Sequence, residues 1–349
     1  MKNEESRKEL KICSKAYKVA MNKAFDDYQF KVEKDLRTAA NSEPRELWRI
    51  LNNLNNSTSQ NEGINLEDLY EYFKNLNVDY NQSGDDENFI LPDCNDEQVN
   101  NILNGDITPA EILTAIKNLK NNKSPGYDMI MNEYIKTTSN ELLPLYTDLF
   151  NIILNSGVIP SIWTAGIILP IYKNKVSPQD PDSYRGITLV SSLGKLFTMV
   201  LNNRLSQFAD LVEIIPKAQA GFRKGYSTLD NIFVLHVLIQ LYLYNNKKLY
   251  CAFIDFKKAF DTVWRVGLWK KLINCNVTGK ILKVIFNMYG NIKSCVKKGS
   301  NFSDFFPCDV GVRQGENLYP FLFSIFLSDL ETFFIENNIS GLQTVSQKI

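Results

Sequence analysis

The chain has 349 residues, 44% of them hydrophobic and 12% aromatic, so it can bury a sizeable core and is long enough for two or three compact units. Lys plus Arg equals Asp plus Glu at 39 each, and there is one histidine, His236, with six cysteines and no CxxC pair. That excludes a zinc knuckle or a His-based metal centre, and points to a reduced, intracellular protein.

The balanced charge hides a gradient. Residues 1–60 carry 12 basic and 9 acidic groups, 61–110 carry 1 and 12, and 111–349 carry 26 and 18. A basic body behind an acidic stretch suits a polyanionic partner, though the bias is mild. The longest apolar run, "IFVLHVLIQLYLY" from Ile232, is interrupted by His236 and Gln240 and is shorter than the roughly 20 residues a bilayer span needs, so no membrane is expected.

In chain order, residues 2–40 show helical periodicity with a narrow apolar stripe through Ile12, Ala16, Val19 and Ala20, which predicts an exposed helix. "SEPRELW" at 42–48 opens a further helix that decays into an Asn/Ser-rich linker. The acidic part, 61–105, reads as a linker carrying one short amphipathic helix, Leu66 to Leu76, before "NQSGDDENFILPDCNDEQ". A compact domain starts near Asp106, because Thr108, Pro109 and Glu111 form a helix start ahead of Ile112, Leu113, Ile116 and Leu119.

Further on, "LLPLYTDLFNIILNSG" predicts a helix ending at Gly157, and "GIILPIYK" a strand that Pro170 sends to a sheet edge. "YRGITLV" turns from a strand into a long helix, and "STLDNIFVLHVLIQLYLYNN" predicts a second, more buried one. Then come a central strand at Leu249–Ile254, a helix at 279–289, a hairpin turning at 299–301, the tight "GVRQG", and a helix over about 318–336.

Leu249 to Ile254 is apolar at every position, as for a strand covered on both faces, so Asp255 just beyond it needs a partner to offset desolvation. A divalent cation is one such partner, and a helix N-cap role is an equal alternative. If the chain turns helical after Asp255, Asp261 lies about 240° round the axis, away from any ion that Asp255 holds. Asp261 is then structural, as a helix cap or an ion pair with Arg265, and Phe260 and Trp264 share one packed helical face. "GVRQG" lets backbone approach a ligand closely at Gln314 and Gly315, although short glycine turns are commonplace. Arg185, with Lys173 and Lys175 before it, could clamp a triphosphate or simply edge a strand pair in solvent.

The order of motifs says more. "NNKSPGYDMIMNEYIK", "WTAGIILPIYK", "DPDSYRGITLV", "AQAGFRKGYST", "CAFIDFKKAFDTV" and "GVRQGENLYPFLFSIFLSDL" resemble, in the same succession, the reverse transcriptase domain of non-LTR (LINE-type) retrotransposons over about residues 106–340. The resemblance implies an α+β right-hand polymerase: fingers over 106–248 and a partial palm over 249–349, behind a helical N-terminal extension (1–60) and the acidic linker (61–105).

It also implies an RNA template, a DNA primer, deoxynucleoside triphosphates, Mg²⁺ as cofactor and a nuclear site of action. Asp255 then matches the first metal-binding aspartate, with the Phe256 carbonyl beside it. Phe260 matches the residue that excludes a 2′-hydroxyl, Arg185 and Lys173 the cations on the triphosphate, and Gln314 and Gly315 the loop that seats the nascent base pair. Lys257 and Lys258 have no such match and are expected in solvent.

Two departures accompany the resemblance. Glu316 and Tyr319 replace the family's small residues, which sets a negative charge where phosphates pass. The Tyr-x-Asp-Asp pair has no counterpart: Asp85–Asp86, which resembles a viral Gly-Asp-Asp, and Asp26–Asp27 both read as solvated charge. A truncated or decayed element, inactive as this polypeptide, is therefore expected, with a non-catalytic nucleic-acid-binding remnant as the alternative.

Overall fold

The computed structural model describes residues 2–42, 63–78, 89–92, 101–173 and 177–339. The predicted helix start at 42–48 and the Asp85–Asp86 pair fall outside them, apart from Ser42. Contacts divide the chain into Met1–Gly63 and Ile64–Ile349. The first unit contributes α1 (Lys2–Ser42), whose described side chains are almost all exposed, Tyr17, Phe25 and Phe30 among them.

The second unit is a mixed α+β body around a small sheet. It begins earlier than expected, because α2 (Leu66–Leu76) is not part of a solvated connector. Asn65 caps it by accepting from the Asp68 N–H at 2.7 Å, and Leu69 and Phe73 are buried in the main core. After α3 (Asn101–Asn104) comes α4 (Pro109–Asn118), which starts with the expected capping box: the Thr108 N–H donates to Glu111 Oε2 at 2.9 Å. Arg204 then fixes α4 to the following helices, pairing with Glu111 at 2.6 Å and donating to the carbonyls of Gly105 and Asp106.

Short α5 (Asn132–Thr137) leads to α6 (Ser139–Ser156), closed by Gly157 at φ 74°, and then to α7 (Ser161–Thr164). Strand β1 (Ala165–Tyr172) runs antiparallel to β2 (Tyr184–Leu189), from Ile167 opposite Leu189 to Tyr172 opposite Tyr184. It also pairs in parallel with β3 (Lys293–Lys298), but only from Ala165 to Ile168. β1 is therefore internal and not an edge strand; Pro170 is tolerated because its half of the strand is paired on one side alone. β4 (Asn301–Phe302) and β5 (Phe306–Pro307) both return onto β3, with the turn at Gly299 as expected.

Helix α8 (Ser192–Leu211) buries Leu196, Phe197, Val200, Leu201 and Leu205, with Phe197 set edge-on against Phe150 at 5.1 Å. Three expectations fail nearby. Helix α9 (Thr228–Tyr244) forms, but none of its residues is buried. Leu249–Ile254 is not a strand: no segment among the described residues pairs with it, and Tyr250, Phe253 and Ile254 are 86%, 85% and 72% exposed. An apolar run calls for covering neighbours but cannot supply them. Finally, the helix expected over 318–336 is two, α12 (Tyr319–Phe326) and α13 (Leu330–Glu336), which follow α10 (Arg265–Asn274) and α11 (Lys280–Gly290).

Candidate functional site

A cleft of about 640 Å³ opens between β2, the loop after β5 and the chain from Asp255 to Asp261. Lys173 and Arg185 line it from β1 and β2; Asp255, Phe256 and Phe260 from the second wall; Gln314 and Gly315 from the third. The structure thus brings Lys173, Arg185, Asp255, Phe256, Phe260, Gln314 and Gly315 into one cavity.

The Gln314–Gly315 wall is fixed by backbone. The Thr188 N–H donates to the Gln314 carbonyl at 2.9 Å, which lays the loop along β2. Gly315 has φ 132°, and a Cβ there would fall 2.1 Å from the Thr188 carbonyl oxygen, so only glycine fits. Gly311, at φ 79°, turns the chain into the loop, and the partly buried Arg265 secures it by donating from its guanidinium to the carbonyls of Val310, Gly311 and Tyr289 at 2.9–3.0 Å. Arg265 is therefore committed to backbone and does not pair with Asp261 as expected.

Glu316 does not face the cleft with its charge. Its side chain is 3% exposed and sits 2.9 Å from the Arg313 guanidinium, itself buried and donating to the Trp163 carbonyl. Burial pushes the Glu316 carboxyl above its ordinary range, against the pull of Arg313, Arg265 and Lys195. The negative charge expected in the phosphate path is turned into the core. Tyr319, the second departure, packs edge-on against Phe260 at 5.0 Å, and Phe323 does so at 4.8 Å.

The Asp255–Asp261 wall differs from its reading in the sequence. Residues 257–262 form turns and no helix runs through 255–264, so Phe260 and Trp264 share no helical face: Phe260 packs on α12, while Trp264 caps α10. The same change removes the reason for placing Asp261 away from Asp255. Both carboxylates line the cleft, and the Gln314 side-chain amide lies 3.4 Å from each Asp261 oxygen. Burial raises the Asp261 carboxyl to about 6, opposed by Lys258, Lys173 and Arg185. The repeated Asp in "DFKKAFD" was the available signal; an assumed helix obscured it.

Lys258 also departs from the solvent position expected of it. It is partly buried, 4.7 Å from the centre of the Tyr72 ring, whereas Lys257 is largely exposed. Tyr72 and Phe73 of α2 complete the wall, a contribution from outside the motif blocks that spacing could not reveal.

Reverse transcriptases use divalent metal ions. Among the described residues no three Asp, Glu, His or Cys side chains converge as a ligand set, so a two-ion centre is not assembled by them. Asp26 and Asp27 lie on the exposed surface of α1, as expected.

Residues 171–345 match the family model described as reverse transcriptase (RNA-dependent DNA polymerase), half of the chain. The chain belongs to this family, on the branch of the non-LTR retrotransposons. It is 35% identical over 229 residues to the probable RNA-directed DNA polymerase from transposon BS of Drosophila melanogaster, covering 63% of this chain and 24% of that protein. To the RNA-directed DNA polymerase from mobile element jockey of the same fly it is 32% identical, covering 65% and 25%; to the probable RNA-directed DNA polymerase from its transposon X-element it is 30% identical, covering 67% and 26%. The chain spans about a quarter of the length of these curated relatives. No helix among the described residues is long and apolar enough to cross a membrane.

Proposed function

We propose that this chain supplies the nucleotide pocket of an RNA-directed DNA polymerase, copying an RNA template onto a DNA primer in the intact element. Residues 106–248 act as fingers and 249–349 as part of the palm. The observation that carries this reading is the convergence, in one cleft, of two cations from a strand pair, a carboxylate at Asp255 and a glycine-fixed loop. Arg185 and Lys173 meet the triphosphate, Phe260 lies under the sugar and selects against a 2′-hydroxyl, and Gln314 with Gly315 seats the nascent base pair. Asp255 and the Phe256 carbonyl offer donors for one Mg²⁺, which would neutralise phosphate charge.

Titrating the purified chain with Mg²⁺–dATP tests the reading. Wild type binds, Arg185→Ala loses about tenfold, the scale of one charge-assisted phosphate contact, and Phe260→Ala narrows the preference for dATP over ATP. Absence of saturable binding, or equal binding by Arg185→Ala, overturns it. The cations that line the cleft, Lys173, Arg185 and Lys258, fit one other reading, a non-catalytic nucleic-acid-binding remnant. Salt-dependent RNA binding without nucleotide binding would select that reading.

A further inference from the structure

The cleft's lysines are not free. The turn Pro181–Ser183 between β1 and β2 carries Asp182, and four groups from three different parts of the chain end on this one residue. The Tyr72 hydroxyl of α2 donates to Asp182 Oδ1 at 2.8 Å, and the Lys258 ammonium lies 3.1 Å from the same oxygen. Lys257 reaches Oδ2 at 3.3 Å, and the Lys173 ammonium donates to the Asp182 carbonyl at 3.0 Å. Asp182 is itself fixed, because its N–H donates to Asp180 Oδ1 at 2.9 Å.

Lys257 and Lys258 sit two and three residues after Asp255, on a wall with no strand partner among the described residues. Lys258 adopts φ 54°, a left-handed conformation that a lysine holds only where its surroundings over-determine it. Its ammonium is clamped between the Asp182 carboxylate and the Tyr72 ring. Asp182 is thus the side chain that ties the wall bearing Asp255 to the strand pair bearing Arg185.

We propose that Asp182, held by Tyr72, is a positioning residue for nucleotide binding: through Lys258, Lys257 and Lys173 it sets the width of the cleft between Asp255 and Arg185 and aims the cations that meet the triphosphate. This rests on the nucleotide-pocket reading above. A carboxylate at the rim repels a polyanion, so its net effect is favourable only if ordering three lysines outweighs that repulsion. The geometry points that way, because one anion organises three cations, and removing it leaves the Lys257 and Lys258 ammoniums without the anion that fixes them.

The experiment is Mg²⁺–dATP titration of the full chain at two ionic strengths, with melting curves to establish folding. Asp182→Asn should weaken binding about tenfold and flatten its salt dependence, because the lysines no longer stand where the phosphates pass. Tyr72→Phe should weaken it about threefold, the scale of one hydrogen bond, and Asp182→Glu should recover most of the loss. A merely structural aspartate would lower the melting temperature while leaving the salt slope unchanged. Binding by Asp182→Asn as tight as wild type or tighter, while Arg185→Ala still loses affinity, overturns the inference alone. If wild type does not bind, the nucleotide-pocket reading falls and this inference falls with it.

Discussion

The cleft has two walls of opposite character. The one made by β2 and residues 311–316 is held by a strand-like backbone contact, a glycine with no room for a Cβ, the Arg265 guanidinium and a buried Arg313–Glu316 pair. The one that carries Asp255 continues from α9, which buries nothing, through the exposed Tyr250, Phe253 and Ile254. Yet the second is the one that is apolar at every position from Leu249 to Ile254, while the first carries Arg185, Arg313, Gln314 and Glu316. Apolar composition therefore states what a segment needs, while burial depends on whether neighbours meet that need. The rigid wall fixes where a bound group can sit; the other meets it through backbone, the Val312 N–H donating to the Phe260 carbonyl at 2.8 Å and the Gly311 N–H to the Val263 carbonyl at 3.0 Å, while the segment before Asp255 stays exposed.

Large-to-small substitutions break the comparison at its widest point. Phe197→Ala removes a fully buried ring packed against Phe150 and Trp163, and should cost about 3–5 kcal/mol in urea denaturation. Phe253→Ala removes a ring of the same size and should change stability by less than about 0.5 kcal/mol. Equal losses at the two sites would mean that 249–256 is covered in solution. Next in size is Gly315→Ala, whose added methyl meets the Thr188 backbone at a φ that alanine resists; about 2–3 kcal/mol of stability should go, with nucleotide binding lost as well. A stable Gly315→Ala protein that binds normally would show that the loop is not pinned to β2.

How far the sequence carried this picture depended on the range of each signal. Local chemistry was legible: the helix Leu66–Leu76, the Thr108–Glu111 box, Gly157 and the Gly299 turn all stand where side chain and backbone rules put them. The membership of the cleft was legible too, because the motif order placed Lys173, Arg185, Asp255, Gln314 and Gly315 together before any contact was known. What failed was what distant partners decide. β1 gained a parallel neighbour 128 positions away at Ala165–Lys293, and Leu249–Ile254 gained none among the described residues. Glu316 found Arg313 in the core, and Tyr72 arrived from a stretch read as linker. Asp261 was misplaced by a single local error, a helix assumed where the chain makes turns.

Asp261 provides the smallest and most selective test of the two walls, since it sits on one and faces Gln314 on the other. Its carboxyl, raised to about 6 by burial, is more readily protonated in the folded protein than in the unfolded chain, where the ordinary value is 3.8. A group of this kind contributes stability that is fully present below about pH 4 and is lost as pH rises through 6. Two units correspond to about 2.7 kcal/mol, and partial exposure of the side chain reduces this to about 1–2 kcal/mol. Asp261→Asn removes the titration, so its stability minus that of wild type should increase by that amount between pH 4 and pH 7.5, measured by urea denaturation across the range. Other titrating groups cancel in the difference. Parallel curves would mean that Asp261 is solvated and that the cleft is wider than the distance between Gln314 and Asp261 indicates; a difference of opposite sign would mean that Lys258, Lys173 and Arg185 outweigh burial, and that the wall bearing Asp255 is held to the other by charge.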